Sequence, residues 1–525
     1  MGETMANLFY CGNDAPVVKT TGGRLRGYTY RGIHHFLGAP YGTAKRFSHP
    51  QPARWTGTKD AFVRGDGCLT TAMGKARRDY VPLLQGTVPS TESEDCLNLN
   101  IWTPSIDKRA KLPVVVWIPG GGFHAGNAND TVATDGFNIS SYGDVVFVSV
   151  NHRIAILGFL DLSPFDEDRY RNTANLGLED LVAALKWIRD NIASFGGDPS
   201  NVTIIGHSGG GCKQWALMQT PAADGLFHKC VMESAVSSNM VFPKKEHNGY
   251  NIVHKTLEKL GLNDSDVHQL ETVDYRKLLE GYMAAYSEDS AAYMKDGEYR
   301  YVGRTVLPNE YFCGYPFDYG LRPEAQKIPC IVGSALGESG WHWDIIQNKS
   351  RWSDVERMER LHSIYGDQTS KILSCWTKAY PGKDPLDLIY FETMFRTQIV
   401  RWCEMKEEFG APCWNYVFAL ESPIFGGLPA HHGSEIPFLM HNVERMPAAQ
   451  IPDVSERVEK ELSNVLIGFA RTGDPNNSSI ADWPQWTKDC PATMIFDADT
   501  RLGIGHDKDL LELHNKVVPW RRFPI

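Results

Sequence analysis

Five stretches of this chain, residues 112–118, 144–150, 201–205, 330–333 and 414–420, are apolar without alternation. A strand with water on one face alternates apolar and polar positions, so unbroken runs belong to a sheet covered on both sides. Between the second and third runs, Leu178, Leu181, Val182, Leu185, Ile188 and Ile192 recur at steps of three and four. That period predicts an amphipathic helix, ended by Gly196, Gly197 and Pro199. Val458, Leu462, Val465, Leu466 and Phe469 predict another within 454–470. Strand and helix alternate, which predicts an α/β fold with a large, mostly parallel central sheet and helices on both faces. Residues 240–330 break the pattern: they are rich in Tyr, Lys, Glu and Asp and separate two core strands. They read as a cap-like insertion that roofs a site, within one domain spanning 1–525.

The candidate chemistry sits at 206–210, Gly-His-Ser-Gly-Gly, which fits G-x-S-x-G. It follows the apolar run at 201–205 and precedes a predicted helix at 210–218, the strand–turn–helix setting of a nucleophile elbow. A serine is a weak nucleophile at neutral pH, so Ser208 needs a base, a group to orient the base, and donors for an oxyanion. Gly120-Gly121-Gly122-Phe123, directly after a strand, offers backbone N–H groups with no side chain in the way. The same run also fits a dinucleotide fingerprint as Gly120-x-Gly122-x-x-Ala125, but residues 123–130 make a poor helix start where that motif demands one at once.

Longer motifs extend this reading. They are E-D-C-L-N-L-N-I-W at 94–102, G-G-G-F at 120–123, N-H-R-I-A-I-L-G-F at 151–159, and a block from N-L-G-L at 175–178 through F-G-G-D-P-S-N-V-T at 195–203 to the elbow. Residues 221–227 and G-D-P-N at 473–476 continue them. With these the chain resembles the type-B carboxylesterase/cholinesterase family of the α/β-hydrolase fold over nearly its whole length. The resemblance implies Ser208 as nucleophile, Glu338 (in the segment 333–339) as acid, and His432, which precedes Gly433, as base; His431 is the rival. The chain order Ser208, Glu338, His432 agrees with that fold. The implied oxyanion donors are Gly121, Gly122 and Gly209. Three positions depart from the family: Pro119 stands where His or Tyr is common, His207 where an acidic residue is usual, and Gly209 where Ala is common. His207 is expected to point away from Ser208, and Gly209 to loosen the elbow slightly. Cys68 and Cys96 align with a family disulfide, bonded in an oxidising compartment and reduced in the cytosol.

The implied function is hydrolysis of a carboxylic ester through an acyl-enzyme, with no metal or organic cofactor. An acyltransferase or cyclase would use the same acyl-enzyme with a different acceptor. A non-catalytic binding relative would lack triad residues, and all three are present here. Candidate pocket residues are Phe123, Tyr311, Trp341, Trp343 and Phe395; an apolar pocket would favour small to medium apolar or aromatic esters.

Composition narrows the partners. The 525 residues carry a net charge of −10 and no long basic run, a poor match to nucleic acid or an anionic membrane surface. No apolar run reaches the roughly 18 residues a membrane helix needs. The start has no signal-like apolar region, and Ala6 stands where myristoylation needs Ser or Thr. The expected compartment is the cytoplasm, or outside the cell if a signal peptide has been removed. The eleven cysteines include no C-x-x-C pair, so no zinc site is expected. The expected partner is a small-molecule ester; the oligomeric state stays open.

Overall fold

Each of the five unbroken apolar runs is a strand of one sheet in a computed structural model, which describes residues 8–12, 15–69, 83–84, 86–236, 249–296, 306–338, 348–391 and 393–518. Along the chain its strands are β1 (Phe9–Tyr10), β2 (Tyr28–Tyr30), β3 (Ile33–Pro40), β4 (Asn98–Thr103), β5 (Leu112–Trp117) and β6 (Val146–Val150). Then come β7 (Gly197–His207), β8 (Lys229–Glu233), β9 (Cys330–Ala335), β10 (Cys413–Phe418), β11 (Ala492–Phe496) and β12 (Arg501–Ile504). The spatial order is β1-β2-β3-β4-β6-β5-β7-β8-β9-β10-β11-β12. Neighbours from β6 to β11 run parallel, and antiparallel pairs flank them at both ends.

The sheet divides the interior into two cores. Successive side chains of a strand point to opposite faces. Val114 and Val116 therefore pack with Leu178, Leu185 and Ile188, while Val115 and Trp117 join the core of Val458, Leu462 and Phe469. Both faces are dry, which is why the sequence shows no alternation. The predicted helices are α1 (Leu176–Asn191), α2 (Gly209–Met218) and, later, α6 (Ser455–Thr472). The helix α1 tightens into a 3₁₀ turn at Ile192–Phe195 and stops at Gly196, whose φ of 77° suits a glycine. The buried Arg153 of the 151–159 motif donates to both carboxylate oxygens of Asp180 on α1, at 2.8 and 2.7 Å.

The described part of the 240–330 insertion is largely helical, with α3 (Tyr250–Lys259) and α4 (Tyr275–Asp296) packed on each other. Ile252, Val253, Leu257, Leu278 and Tyr282 extend the core on the α1 face of the sheet. Arg46 donates to the carbonyls of Leu270 and Val273 at 2.9 and 2.7 Å, tying the insertion to the N-terminal region. Between β9 and β10 the chain forms helices at Asp354–Tyr365 and Thr369–Ala379 and then α5 (Thr393–Glu408).

The disulfide implied by the resemblance is not formed. Cys68 and Cys96 are both buried thiols. A hydrogen bond from Cys68, together with burial, pushes the Cys96 thiol well up, so it is held protonated. Thiol titration of unreduced, denatured protein is expected to count eleven; a count of nine would mean a bridge, with this pair the first place to map it.

Candidate active site

Ser208 lies between the end of β7 and the start of α2 with φ 56° and ψ −126°. That region is sparsely populated for a residue with a Cβ and costs about 1–3 kcal/mol. Two backbone hydrogen bonds hold it: the Ser208 N–H donates to Glu233 O on β8 at 2.7 Å, and Cys212 N–H donates to Ser208 O at 2.9 Å. The elbow predicted from the glycine spacing is thus present, at the carboxyl end of the parallel strands.

Glu338 follows β9 and is buried. Its Oε2 lies 2.5 Å from Nδ1 of His432, in the loop after β10. Its Oε1 accepts the Ser234 hydroxyl and, at 2.8 Å, the Ala335 N–H. The carboxylate is therefore fixed before it fixes the imidazole. Burial on its own pulls His432 down, but the charge and hydrogen bond of Glu338 raise it above the ordinary 6.5. Among the described residues, the rival His431 has no such partner. Burial, followed by the charge of His432, drives it down to about 4. His432 and Ser208 share the wall of a cavity of about 210 Å³, and His431 does not line it.

Two further rings touch His432. The His207 ring lies 4.1 Å from it, centroid to centroid, and Phe395 of α5 stacks on it at 5.7 Å and 12°. His207 faces the base and lines the same cavity. Burial, then the charges of His432 and His431, hold His207 well below the usual histidine range, so it is neutral beside the imidazole.

Gly121 and Gly122 carry φ of 78° and 64°, where an L side chain is strained. Neither N–H, nor that of Gly209, donates to an acceptor among the described residues. Gly209 corrects an expectation: the elbow is not loosened there. A Cβ on Gly209 would sit 2.1 Å from the carbonyl oxygen of Gly122. The glycine is needed because the 120–122 segment lies directly on the elbow.

The sequence reading missed a group of buried carboxyls behind the base. Glu435 is fully buried, takes a 3.4 Å hydrogen bond from Tyr416, and is pushed up to about 8 by burial and then by the charge of Glu338. Glu233, also fully buried, is pushed well up by burial and then by Glu435. Both are neutral at pH 7, which leaves the negative charge beside the imidazole to Glu338. Each had a faint sequence signal: Glu435 lies in the stretch after His432, and Glu233 closes a core strand.

The predicted pocket aromatics scatter. Phe395 reaches the site through His432. Phe123 is buried against Phe159, with ring centroids 4.9 Å apart, and does not line the cavity. Tyr311 lines a separate cavity with His49 and Glu179. Trp341 and Trp343 lie outside the described residues. The described cavity wall is mixed: Leu84, Trp117, Ile436 and Met446 are apolar, while Asn127 and Thr131 are polar. No described residue of the 240–330 insertion lines this cavity.

Comparison with known proteins shows the family. Residues 14–511 match the model of the carboxylesterase family. A para-nitrobenzyl esterase of Bacillus subtilis is 30% identical over 93% of this chain and 96% of its own length. A phenmedipham hydrolase of Pseudarthrobacter oxydans is also 30% identical, over 91% of this chain and 94% of its own. Among solved structures, an esterase from anaerobic Clostridium hathewayi, described as able to hydrolyse aliphatic aromatic polyesters, is 40% identical. It superimposes with a TM-score of 0.89, over 97% of this chain and 99% of that one.

Proposed function

Because the chain belongs to the carboxylesterase family, we propose that its ester hydrolysis runs through Ser208, His432 and Glu338, with Gly121, Gly122 and Gly209 receiving the oxyanion. The observation that carries this reading is the 2.5 Å contact of Glu338 with His432 Nδ1, on the cavity that also exposes Ser208. A proton kept on Nδ1 leaves Nε2 free to accept from Ser208 as its oxygen attacks the ester carbonyl carbon. The carbonyl oxygen becomes an oxyanion facing the three backbone N–H groups. Collapse expels the alcohol, which takes the proton from Nε2 and leaves the acyl group on Ser208. Water then repeats the sequence: Nε2 takes its proton, the tetrahedral adduct collapses, and Ser208 regains the proton as the acid departs. Glu338 stabilises the imidazolium in both halves.

The substrate is a small to medium ester with an apolar or aromatic part. The apolar side of the cavity supports this, as do the para-nitrobenzyl and aromatic polyester esterases among the relatives. Among the described residues of the cavity, none favours an alcohol or amine acceptor over water. An organophosphonate ester is expected to inactivate the enzyme at one equivalent, with the mass increment on the peptide carrying Ser208. p-Nitrophenyl esters of graded acyl length then rank the acyl site. Full activity after stoichiometric labelling elsewhere would overturn the assignment.

A further inference from the structure

The segment 120–122 is all glycine and has no side chain by which to be held. Backbone bonds secure its surroundings: Ile118 N–H donates to Ile205 O at 2.9 Å, Ala125 N–H to Gly121 O at 3.0 Å, and Ala155 N–H to Phe123 O at 2.7 Å. The buried Pro119 carbonyl is taken by a side chain instead. Lys213 of α2, fully buried, donates from Nζ to Pro119 O at 2.9 Å. The same Nζ lies 5.5 Å from the centre of the Phe123 ring. One amine therefore grips both ends of the glycine segment and links them to the helix that begins at the nucleophile.

Ion pairing does not account for this lysine. Among the described residues no carboxylate pairs with it. Burial, offset slightly by Cys212, brings it down to about 7. A methionine of similar length would fill the space without burying an ionisable group.

We infer that Lys213 is a positioning residue of the oxyanion hole, holding Gly121 and Gly122 against the elbow through the Pro119 carbonyl and the Phe123 ring. The inference rests on the reading of Gly121 and Gly122 as oxyanion donors. Misplacing catalytic groups by about 1 Å costs up to roughly 10²-fold. In the full-length enzyme, Lys213→Met is expected to lower kcat by roughly 10- to 100-fold on p-nitrophenyl acetate, with KM within about threefold. Affinity for a phenylboronic acid should fall with kcat, because its tetrahedral adduct on Ser208 places an oxygen where the oxyanion forms. The melting temperature should hold or rise. Lys213→Gln, which keeps a donor but loses the charge, should fall between, and it carries the same test if the Met variant does not fold. A merely structural lysine would lower the melting temperature and leave the kcat and boronate affinity of the folded enzyme unchanged; that result overturns the inference. Gly121→Val separates the two readings. If it lowers kcat while both Lys213 variants do not, the clamp alone fails; if none of the three lowers kcat, the oxyanion assignment fails too.

Discussion

Ser208→Ala is expected to lose turnover and phosphonate labelling together, with kcat falling roughly 10⁶-fold, since Ser208 is the hydroxyl that the strained elbow presents to the cavity His432 also lines. His432→Ala should be nearly as damaging, because the proton then has no acceptor. His431→Ala should be mild: its ring is buried, held neutral and turned from the cavity. Glu338→Gln should cost less, about 10⁴-fold, because it removes orientation and charge but leaves nucleophile and base in place. Double variants should be far from additive, as the three act as a unit. The pH dependence has a definite sign. His432 must be neutral to accept a proton, so kcat/KM should rise with pH through a pKa above the ordinary 6.5. Glu338 is what raises that pKa against burial, so in Glu338→Gln the rising limb should move to lower pH. An active, phosphonate-labelled Ser208→Ala enzyme would sink the nucleophile assignment. Loss of activity in His431→Ala with retention in His432→Ala would reverse the base assignment.

The second large effect belongs to the glycine segment. A side chain on Gly121 would meet Ala125 O at 2.3 Å, at a φ of 78° that disfavours any Cβ. Gly121→Val should therefore displace the N–H donors and lower kcat about 10²–10³-fold, the cost of one oxyanion donor. Gly209→Ala tests the same contact from the elbow side. Its methyl would sit 2.1 Å from Gly122 O, and backbone cannot yield as a flexible side chain does. The segment must retreat, and kcat should fall roughly 10-fold or more with labelling of Ser208 slowed but not abolished. Circular dichroism and melting curves check that both variants fold. Full activity in a folded Gly121→Val enzyme would place the oxyanion elsewhere.

Much of this protein was readable from local pattern. Strands β5, β6, β7, β9 and β10 announced themselves because burial on two faces requires unbroken apolar runs, and α1 because its apolar stripe repeats with the helical period; β8 did not. The elbow was readable because a strained turn needs glycines at fixed offsets around Ser208. Glu338 and His432 were marked only by the longer family motifs, and their contact spans 94 residues of chain. Other features had no local signature. Whether a carboxyl is charged depends on what surrounds it, so the neutral Glu233 and Glu435 emerged only when their strand end and loop met in a dry interior. The need for glycine at 209 comes from the Gly122 carbonyl, and the role of Lys213 from a carbonyl 94 residues earlier. Phe123 and Tyr311 teach the same lesson from the other side. Aromatic character drives a ring out of water, but chain path and sheet order decide which cavity it reaches. The sequence by itself thus determined the layers, the elbow and the candidates for the reacting groups. The tertiary structure decided their protonation, the closeness of the oxyanion segment and the walls of the pocket, because these depend on distances between elements remote along the chain.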